Sequence, residues 1–313
     1  WSNYNLTTTG AQTTTANITK KEVTLDSITA AHKTYNGNTT ATITSGSISG
    51  TVGSETLAIS GSGTFDNKNV ANNRTVTVAD ATTLTQTDGT GSWSNYNLTT
   101  TGSKTTTANI TPAAASISAP ATSVIYNGQT QSQGAAVLSG FVAGDNVQAI
   151  GLASGRNAGS YASSLSATGA DVGNYTITYN NAALTIAKRP ASLSALGQTV
   201  VYNGQTQSLN GSQGSGFVAG DALTFGGLPS GRNVGQYTST LTVSGADAAN
   251  YDVTPGSATL TITPKGASVT ARPERVTYNG QTQQQSTAVL EGFVDGDDIQ
   301  ISGLASGRNA GVY

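Results

Sequence analysis

Along this chain the apolar positions alternate with polar ones. Short runs rich in Val, Ile, Tyr and Thr are broken by Gly and Asn, and no segment carries the three-and-four spacing of a helix face. In the stretch 112–188 the pattern predicts strands near residues 114–118, 122–126, 129–133, 146–150, 160–167, 174–180 and 183–187. Strands this short and this evenly spaced predict a small β-sandwich. The expected fold class is therefore all-β, a tandem array of immunoglobulin-like sandwich modules. A β-grasp-like module is the alternative; it requires a short helix, for which 134–144 is the best place.

Repetition sets the organisation. The phrase Tyr-Asn-Gly occurs at 35–37, 126–128, 202–204 and 278–280, and the last three copies sit in VIYNGQTQS, VVYNGQTQS and VTYNGQTQQ. Apolar β-formers precede it and Gln-Thr-Gln follows, so each copy is expected to turn a β-hairpin on its Asn-Gly pair. WSNYNLTTTG at 1–10 recurs at 93–102, and TTTANIT at 13–19 recurs at 105–111, both at an offset of 92. Tyr126, Tyr202 and Tyr278 are spaced by 76, as are GFVAGD at 140–145 and 216–221 with GFVDGD at 292–297, and SGRNAG, SGRNVG and SGRNAG from 154, 230 and 306. The expected boundaries are a module tail at 1–19, a long module at 20–111, and short modules at 112–188, 189–264 and 265–313, the third lacking its last strands. The long module shares the landmarks of the short ones and adds length around the Ser/Gly-rich stretch 45–62. Pro112, Pro190 and Pro264 stiffen the joints and withhold an amide from any continuing strand, which favours a rod over flexibly strung beads.

One motif sharpens the sandwich. Asp171-Val-Gly-Asn-Tyr175 matches the Asp-x-Gly-x-Tyr corner of immunoglobulin-like domains, in which a tyrosine hydroxyl ties down a loop; Asp247 and Tyr251 keep it with Ala249 in place of Gly. The long module offers only Ser94-Asn95-Tyr96, a weaker match.

Composition removes several function classes. Thr is 51 of 313 residues, charged residues are 10% and the net charge is -2, so nothing here forms an electrostatic footprint for nucleic acid. No apolar run approaches a membrane span, so no membrane insertion is expected of this piece. Cysteine is absent, which removes disulfides and thiolate metal sites. Methionine is absent too and the chain opens on Trp1, so it reads as part of a longer or processed protein.

KTYNGNTTATI at 33–43, GTFDNKNV at 63–70 and SNYNLTTTG at 94–102 resemble the YDG repeat of large bacterial adhesins, with Asn36 where the family name has Asp. The three short modules resemble the MBG repeat that often follows it. Together the resemblance covers essentially the whole chain. It implies a fragment of a filamentous-haemagglutinin-like protein of the two-partner-secretion type or of another large surface protein, secreted, extracellular or held at the bacterial cell surface, supporting adhesion or a biofilm matrix. It supplies no catalytic residues.

An enzyme is not expected. His32 is the single histidine and the short modules have none, so no nucleophile has a repeated base. No cofactor and no metal are expected: the joints carry Pro, Lys and Arg, and only Asp295, Asp297 and Asp298 cluster. The repeated charges are more informative. Asp145, Asp221 and Asp297 precede Arg156, Arg232 and Arg308 at one constant spacing, which predicts an Asp–Arg pair between two loops at one end of each module. The functional alternative has Arg156, Asn157, Arg232, Asn233, Arg308 and Asn309 binding extracellular polysaccharide or host glycans. The structural positions of the repeat are Tyr126, Gly128, Asp145, Tyr175, Tyr202, Gly204, Asp221, Tyr251, Tyr278, Gly280 and Asp297. Glycosylation triplets occur at Asn5, Asn17, Asn38, Asn73, Asn97, Asn109, Asn174 and Asn210. The expected role is a stalk or spacer. The alternatives are glycan binding by the modules themselves and lateral, homotypic association into a fibre through exposed strand edges.

Overall fold

The structure is a computed structural model that describes residues 2–5, 7, 10–11 and 13–313. The first copy of the repeated tail, 1–19, therefore lies partly outside the described residues. Among the described residues, all regular structure is β apart from four single 3-10 turns.

The long module has strands β1 (Lys21–Ala30), β2 (Lys33–Thr34), β3 (Thr40–Ser49), β4 (Leu57–Phe65), β5 (Ala71–Val78), β6 (Thr85–Asp88), β7 (Tyr96–Leu98) and β8 (Lys104–Thr111). The first short module has β9 (Ala113–Ser118), β10 (Thr122–Ile125), β11 (Gln131–Ser132), β12 (Val137–Ser139), β13 (Gln148–Ile150), β14 (Ser154–Gly155), β15 (Gly159–Ala162), β16 (Ser166–Thr168), β17 (Tyr175–Asn180) and β18 (Ala183–Ala187). The second repeats this set as β19 (Arg189–Ser194), β20 (Gln198–Val201), β21 (Gln207–Ser208), β22 (Gln213–Ser215), β23 (Thr224–Gly226), β24 (Ser230–Gly231), β25 (Gly235–Thr240), β26 (Thr242–Ser244), β27 (Tyr251–Pro255) and β28 (Ser257–Thr263). The third contributes β29 (Ser268–Ala271), β30 (Gln283–Gln284), β31 (Ala288–Glu291) and β32 (Ser306–Gly307).

By internal contacts the chain forms two compact units. Unit 1 holds residues up to 120 with 134–152 and 163–182, and unit 2 holds 121–133, 153–162 and 183–313. The boundary thus runs through the first short module rather than between modules.

The second short module lies wholly in unit 2 and shows the sandwich. One sheet is β22-β19-β27 and the other β20-β28-β25, each with one antiparallel and one parallel pairing. Leu193, Leu209, Leu241 and Ala258 fill the space between. The alternation seen in the sequence is what places them there, because successive side chains of a strand face opposite sides. Two small ladders, β21-β24 and β23-β26, complete the module.

The long module, in unit 1, has the same pairings. β3-β1-β7 corresponds to β22-β19-β27, and β2-β8-β5 to β20-β28-β25. Here β3 and β4 are single long strands that change partner along their length. β3 pairs with β4 up to Ile43 and with β1 beyond it, and β4 pairs with β6 and then with β3 and β5. In the short modules the same path is broken into β11/β12 and β13/β14. The Ser/Gly-rich stretch 45–62 is thus largely strand.

Three expectations need correction. No helix forms at 134–144, where β12 lies instead, and this removes the β-grasp alternative. The strand expected at 160–167 is two, β15 and β16, which pair with different strands. Tyr-Asn-Gly does not turn a hairpin: β10 pairs with β18 while β11 pairs with β14. The Asn residues keep negative φ, so the type I′ turn, which needs positive φ at both central residues, is not made. Instead the Asn side chain closes a local turn. Asn127 Oδ1 accepts the Gln129 N–H at 2.9 Å, and Asn203 and Asn279 do the same for Gln205 and Gln281 at 3.0 Å. The tyrosine ahead of the turn extends the parallel ladder: Tyr126 N–H donates to Ala187 O and Tyr202 N–H to Thr263 O, both at 2.9 Å.

Candidate functional site

The repeated polar residues meet where one module joins the next. In unit 1 the joint links the long module to the first short one. Tyr35 and Tyr175 both donate their hydroxyls to Asp145 Oδ2, Tyr35 at 2.8 Å. Lys68 Nζ reaches Asp145 Oδ1 at 3.0 Å and Asp171 Oδ1 at 3.5 Å. The two tyrosine rings pack edge to face with centroids 5.4 Å apart, and Phe141 lies against Tyr175. Asn174 is buried, accepting the Val70 N–H at 2.9 Å and donating to Asn69 at 3.2 Å.

Unit 2 contains the same joint one module on. Tyr126 and Tyr251 both donate to Asp221 Oδ2, Tyr126 at 2.9 Å. Arg156 spans Asp221 at 3.5 Å and Asp247 at 3.6 Å. The tyrosine rings are 5.5 Å apart, edge to face, with Phe217 against Tyr251. Asn250 accepts the Ala158 N–H at 2.8 Å and faces Asn157. A third joint, also in unit 2, has Tyr202 donating to Asp297 at 2.7 Å. Each Arg also holds the preceding turn, its Nε donating to the carbonyl of Gly128, Gly204 or Gly280.

This corrects the expected pairing. Asp145 does not pair with Arg156, nor Asp221 with Arg232; Asp145 and Asp221 each take the basic residue of the preceding module. Between Asp221 and Arg232 lie the short strands β23 and β24, which pair with different strands. Lys68-Asn69-Val70 in the long module stands where the short modules have Arg-Asn-Ala/Val, a correspondence hidden by the Lys.

The glycine of Tyr-Asn-Gly is part of the joint. It sits at φ +81, +80 and +77 at Gly37, Gly128 and Gly204, and a Cβ there would come within 2.7, 2.8 and 2.5 Å of Val142, Val218 and Val294 of the next module. Gly280 has φ +74 and nothing within 4 Å. Gly128→Ala should therefore cost about 3 kcal/mol, the left-handed penalty plus overpacking, against about 1 kcal/mol for Gly280→Ala. Urea unfolding of the two variants checks this; equal losses would refute the packing argument.

The tyrosine corner is present in all three modules that reach it. Tyr175 OH accepts the Val142 N–H and Tyr251 OH the Val218 N–H, both at 2.8 Å. Gly173 of the motif has open space where a Cβ would lie, so Ala249 is accommodated in its place. The long module has the full corner too: Tyr96 OH accepts the Val52 N–H at 3.0 Å and donates to Glu55. Sequence reasoning missed it, although Gly50-x-Val52-x-x-Glu55 matches Gly140-x-Val142-x-x-Asp145 apart from the acid.

Charge in the joint follows from these contacts. Burial pushes the Asp145 carboxyl up, but hydrogen bonds from Tyr175, Tyr35 and Lys68 outweigh this and hold it below the usual carboxylate range. Burial, then the hydrogen bond to the carboxylate, pushes the Tyr175 and Tyr126 hydroxyls up to about 12. A depressed carboxyl stabilises above its ordinary value of about 4 and loses that contribution as pH falls through its folded value. A raised tyrosine stabilises below its ordinary value of about 10 and loses that contribution as pH rises towards about 12. Urea midpoints should be level across neutral pH, fall below about pH 4 for unit 1, and fall above about pH 10 for both units. A profile flat to about pH 3 would count against the Asp145 contacts.

Of the expected glycan-binding residues, Arg156 and Asn157 face the following module in the joint. The Asn157, Asn233 and Asn309 carbonyls accept Tyr161, Tyr237 and Tyr313 hydroxyls. Asn174 is buried in the first joint, so its glycosylation triplet is closed. His32 is exposed, and its Nδ1 accepts the Asn109 N–H at 2.8 Å. Among the described residues no group of three or more His, Cys, Asp or Glu could hold a metal ion, and no helix is long and apolar enough to cross a membrane.

The YDG domain signature matches residues 19–108 and again 187–259, together just over half of the chain. The chain belongs to the YDG domain family. Between these YDG stretches, residues 115–185 match the MBG domain (YGX type). The second YDG match falls on the stretch expected as the second MBG-like module. Both families are adhesin-type structural modules, not enzyme families. Among curated proteins none matches the YDG chain in sequence. Solved structures similar to it include Drosophila N-cadherin EC1-4, at 9% identity over 80% of this chain and 76% of that one, TM-score 0.25. A 1.5-MDa bacterial ice-binding adhesin matches at 13% identity over 78% and 97%, TM-score 0.22. The fibronectin(III)-like modules of Clostridium thermocellum CbhA match at 13% identity over 47% and 94%, TM-score 0.18. Scores this low carry no argument about function.

Proposed function

We propose that these YDG and MBG modules are the stalk of a secreted or cell-surface bacterial adhesin, spacing a binding region from its anchor. The observation that supports this is the joint. The most regularly repeated polar residues of the modules meet one another across it, so their chemistry serves attachment between neighbours. The hydrophobic cores do the same. Unit 1 has one buried cluster running from Val23 and Phe65 of the long module to Ala115 and Tyr175 of the next, and in unit 2 another joins Tyr126 and Ile186 to Ala191 and Tyr251. Small modules bury modest cores, and sharing them is how a repeat array gains stability.

Co-sedimentation of the chain with extracellular polysaccharide and a panel of host glycans tests the reading, with an Arg156→Ala/Arg232→Ala variant beside it. No saturable binding is expected from either. The variant should stay folded, because the Arg156 side chain is 48% exposed in its ion pairs and such pairs are worth under about 1 kcal/mol. Saturable binding lost in the variant would overturn the stalk in favour of glycan recognition by the Arg–Asn loops.

A further inference from the structure

The long module carries the receiving half of a joint in which, among the described residues, nothing is seated. Its cleft, about 410 Å³, is lined by Ile18, Lys20, Val52, Glu55, Asn95 and Tyr96 among others. Most residues that receive the neighbour in the filled joints have a counterpart here; Asp171 and Asp247, which share the cation, are replaced by Ser92. Val52 stands for Val142 and Val218, Glu55 for Asp145 and Asp221, and Asn95-Tyr96 for Asn174-Tyr175 and Asn250-Tyr251. The geometry is repeated as well: the acid N–H donates to the valine carbonyl at 3.0 Å in Glu55–Val52, against 3.2 Å in Asp145–Val142 and 3.4 Å in Asp221–Val218. What differs is cover. Val52 is 54% exposed where Val142 and Val218 are half-buried, and Asn95 is exposed where Asn174 and Asn250 are 4% and 3% exposed.

We infer that this cleft is a socket for the end of another module of the same kind, presenting a Tyr-Asn-Gly turn and a Lys-Asn or Arg-Asn loop. The incoming tyrosine hydroxyl would donate to Glu55, the glycine would lie on Val52, a backbone N–H would donate to Asn95, and the cation would sit beside Glu55. Two observations fix the occupant. Each filled socket receives a Tyr-Asn-Gly turn, its tyrosine hydroxyl on the acid and its glycine against the valine. Residues 1–19 also repeat 93–111 with changes only at positions 11 and 12, so the segment leading into the cleft has the sequence with which a long module ends. The acid then follows at nearly the same spacing, from Thr19 to Glu55 here and from Thr111 to Asp145 in the first filled joint. The inference stands on joint geometry and does not depend on the stalk reading.

The test adds a copy of residues 20–92 ahead of Trp1, which completes a second long module. The chain has no cysteine, so a pair can be introduced cleanly: Gly37→Cys in the added copy and Val52→Cys in the original. In the first filled joint a Cβ at Gly37 lies 3.7 Å from the Val142 Cβ, within the ~3.5–4.5 Å that a disulfide spans. Gly37→Cys with Val142→Cys is the reference pair. The new pair should oxidise within about threefold of the reference rate, and moving the second cysteine to Gly53 should slow it at least ~10-fold. A reference pair that links while the new pair does not would overturn the socket, as would equal rates at positions 52 and 53. Glu55→Gln supplies a readout that needs no cross-link. It should lower the urea midpoint of the extended chain at least about twice as far as that of the original chain, and equal shifts would overturn the inference.

Discussion

Tyr126→Ala should destabilise unit 2 by about 4 kcal/mol, while Tyr278→Ala, the same repeat position, should cost under about 0.5 kcal/mol. Tyr126 is 0% exposed and Tyr278 is 62% exposed. The sequence around them is nearly identical, so the difference reports what the following module and the module's own closing strand β18 contribute together. At Tyr126 the ring packs edge to face on Tyr251 and its hydroxyl donates to Asp221. Deleting a buried aromatic removes its transfer free energy and leaves a cavity, and here it also removes one of the two hydroxyl donors to a buried carboxylate oxygen. Urea unfolding followed by circular dichroism would read both variants. Similar losses at the two positions would mean that the tyrosine stabilises its own module, and the joint would lose its main support.

Asp221→Ala should cost about 3 kcal/mol, and Asp252→Ala, on an exposed position of β27, should stay within about 0.5 kcal/mol of the parent. The Asp221 side chain is 2% exposed. A buried carboxylate is tolerated because two hydroxyls and a guanidinium meet it; removing it leaves the Tyr126 and Tyr251 hydroxyls without their acceptor. Most of the loss should come from those hydroxyls and not from Arg156, whose ion pair is half in solvent. Asp221→Asn keeps an acceptor for the tyrosines and should recover more than half of the loss. An Asn variant as damaged as the Ala variant would shift the weight to the ion pair.

Much of this was legible in the sequence. The alternation that marked strands at 114–118, 174–180 and 183–187 agrees with β9, β17 and β18 to within a residue. That follows because a strand half-buried in a sandwich must alternate, whatever it pairs with. The residues of the joint were legible as positions, since the spacing of 76 picks out Tyr126, Asp145, Arg156 and their copies without any structure. Their partners were not. Asp145 and Arg156 lie close in sequence and invited pairing within the module. The partners found are distant in sequence: Lys68 for Asp145, and Asp221 for Arg156. The corner of the long module was missed because Glu55 and Thr51 replace the Asp and Phe of the short modules, although Gly50, Val52 and the spacing remained.

By itself the sequence determined the fold class and which side chains recur, because these depend on local periodicity and on self-similarity. Tertiary structure alone decided that Tyr-Asn-Gly turns the chain between strands of different pairings and does not close a hairpin. A two-residue phrase states which φ values are available; which strand lies alongside is settled by the closing strand of the module, Ala183–Ala187 or Ser257–Thr263, far along the chain from the turn. It decided, too, that the repeated charges belong to the seams. An acid and a base at fixed spacing have no direction in one dimension, and only the folded modules show each going to a different neighbour.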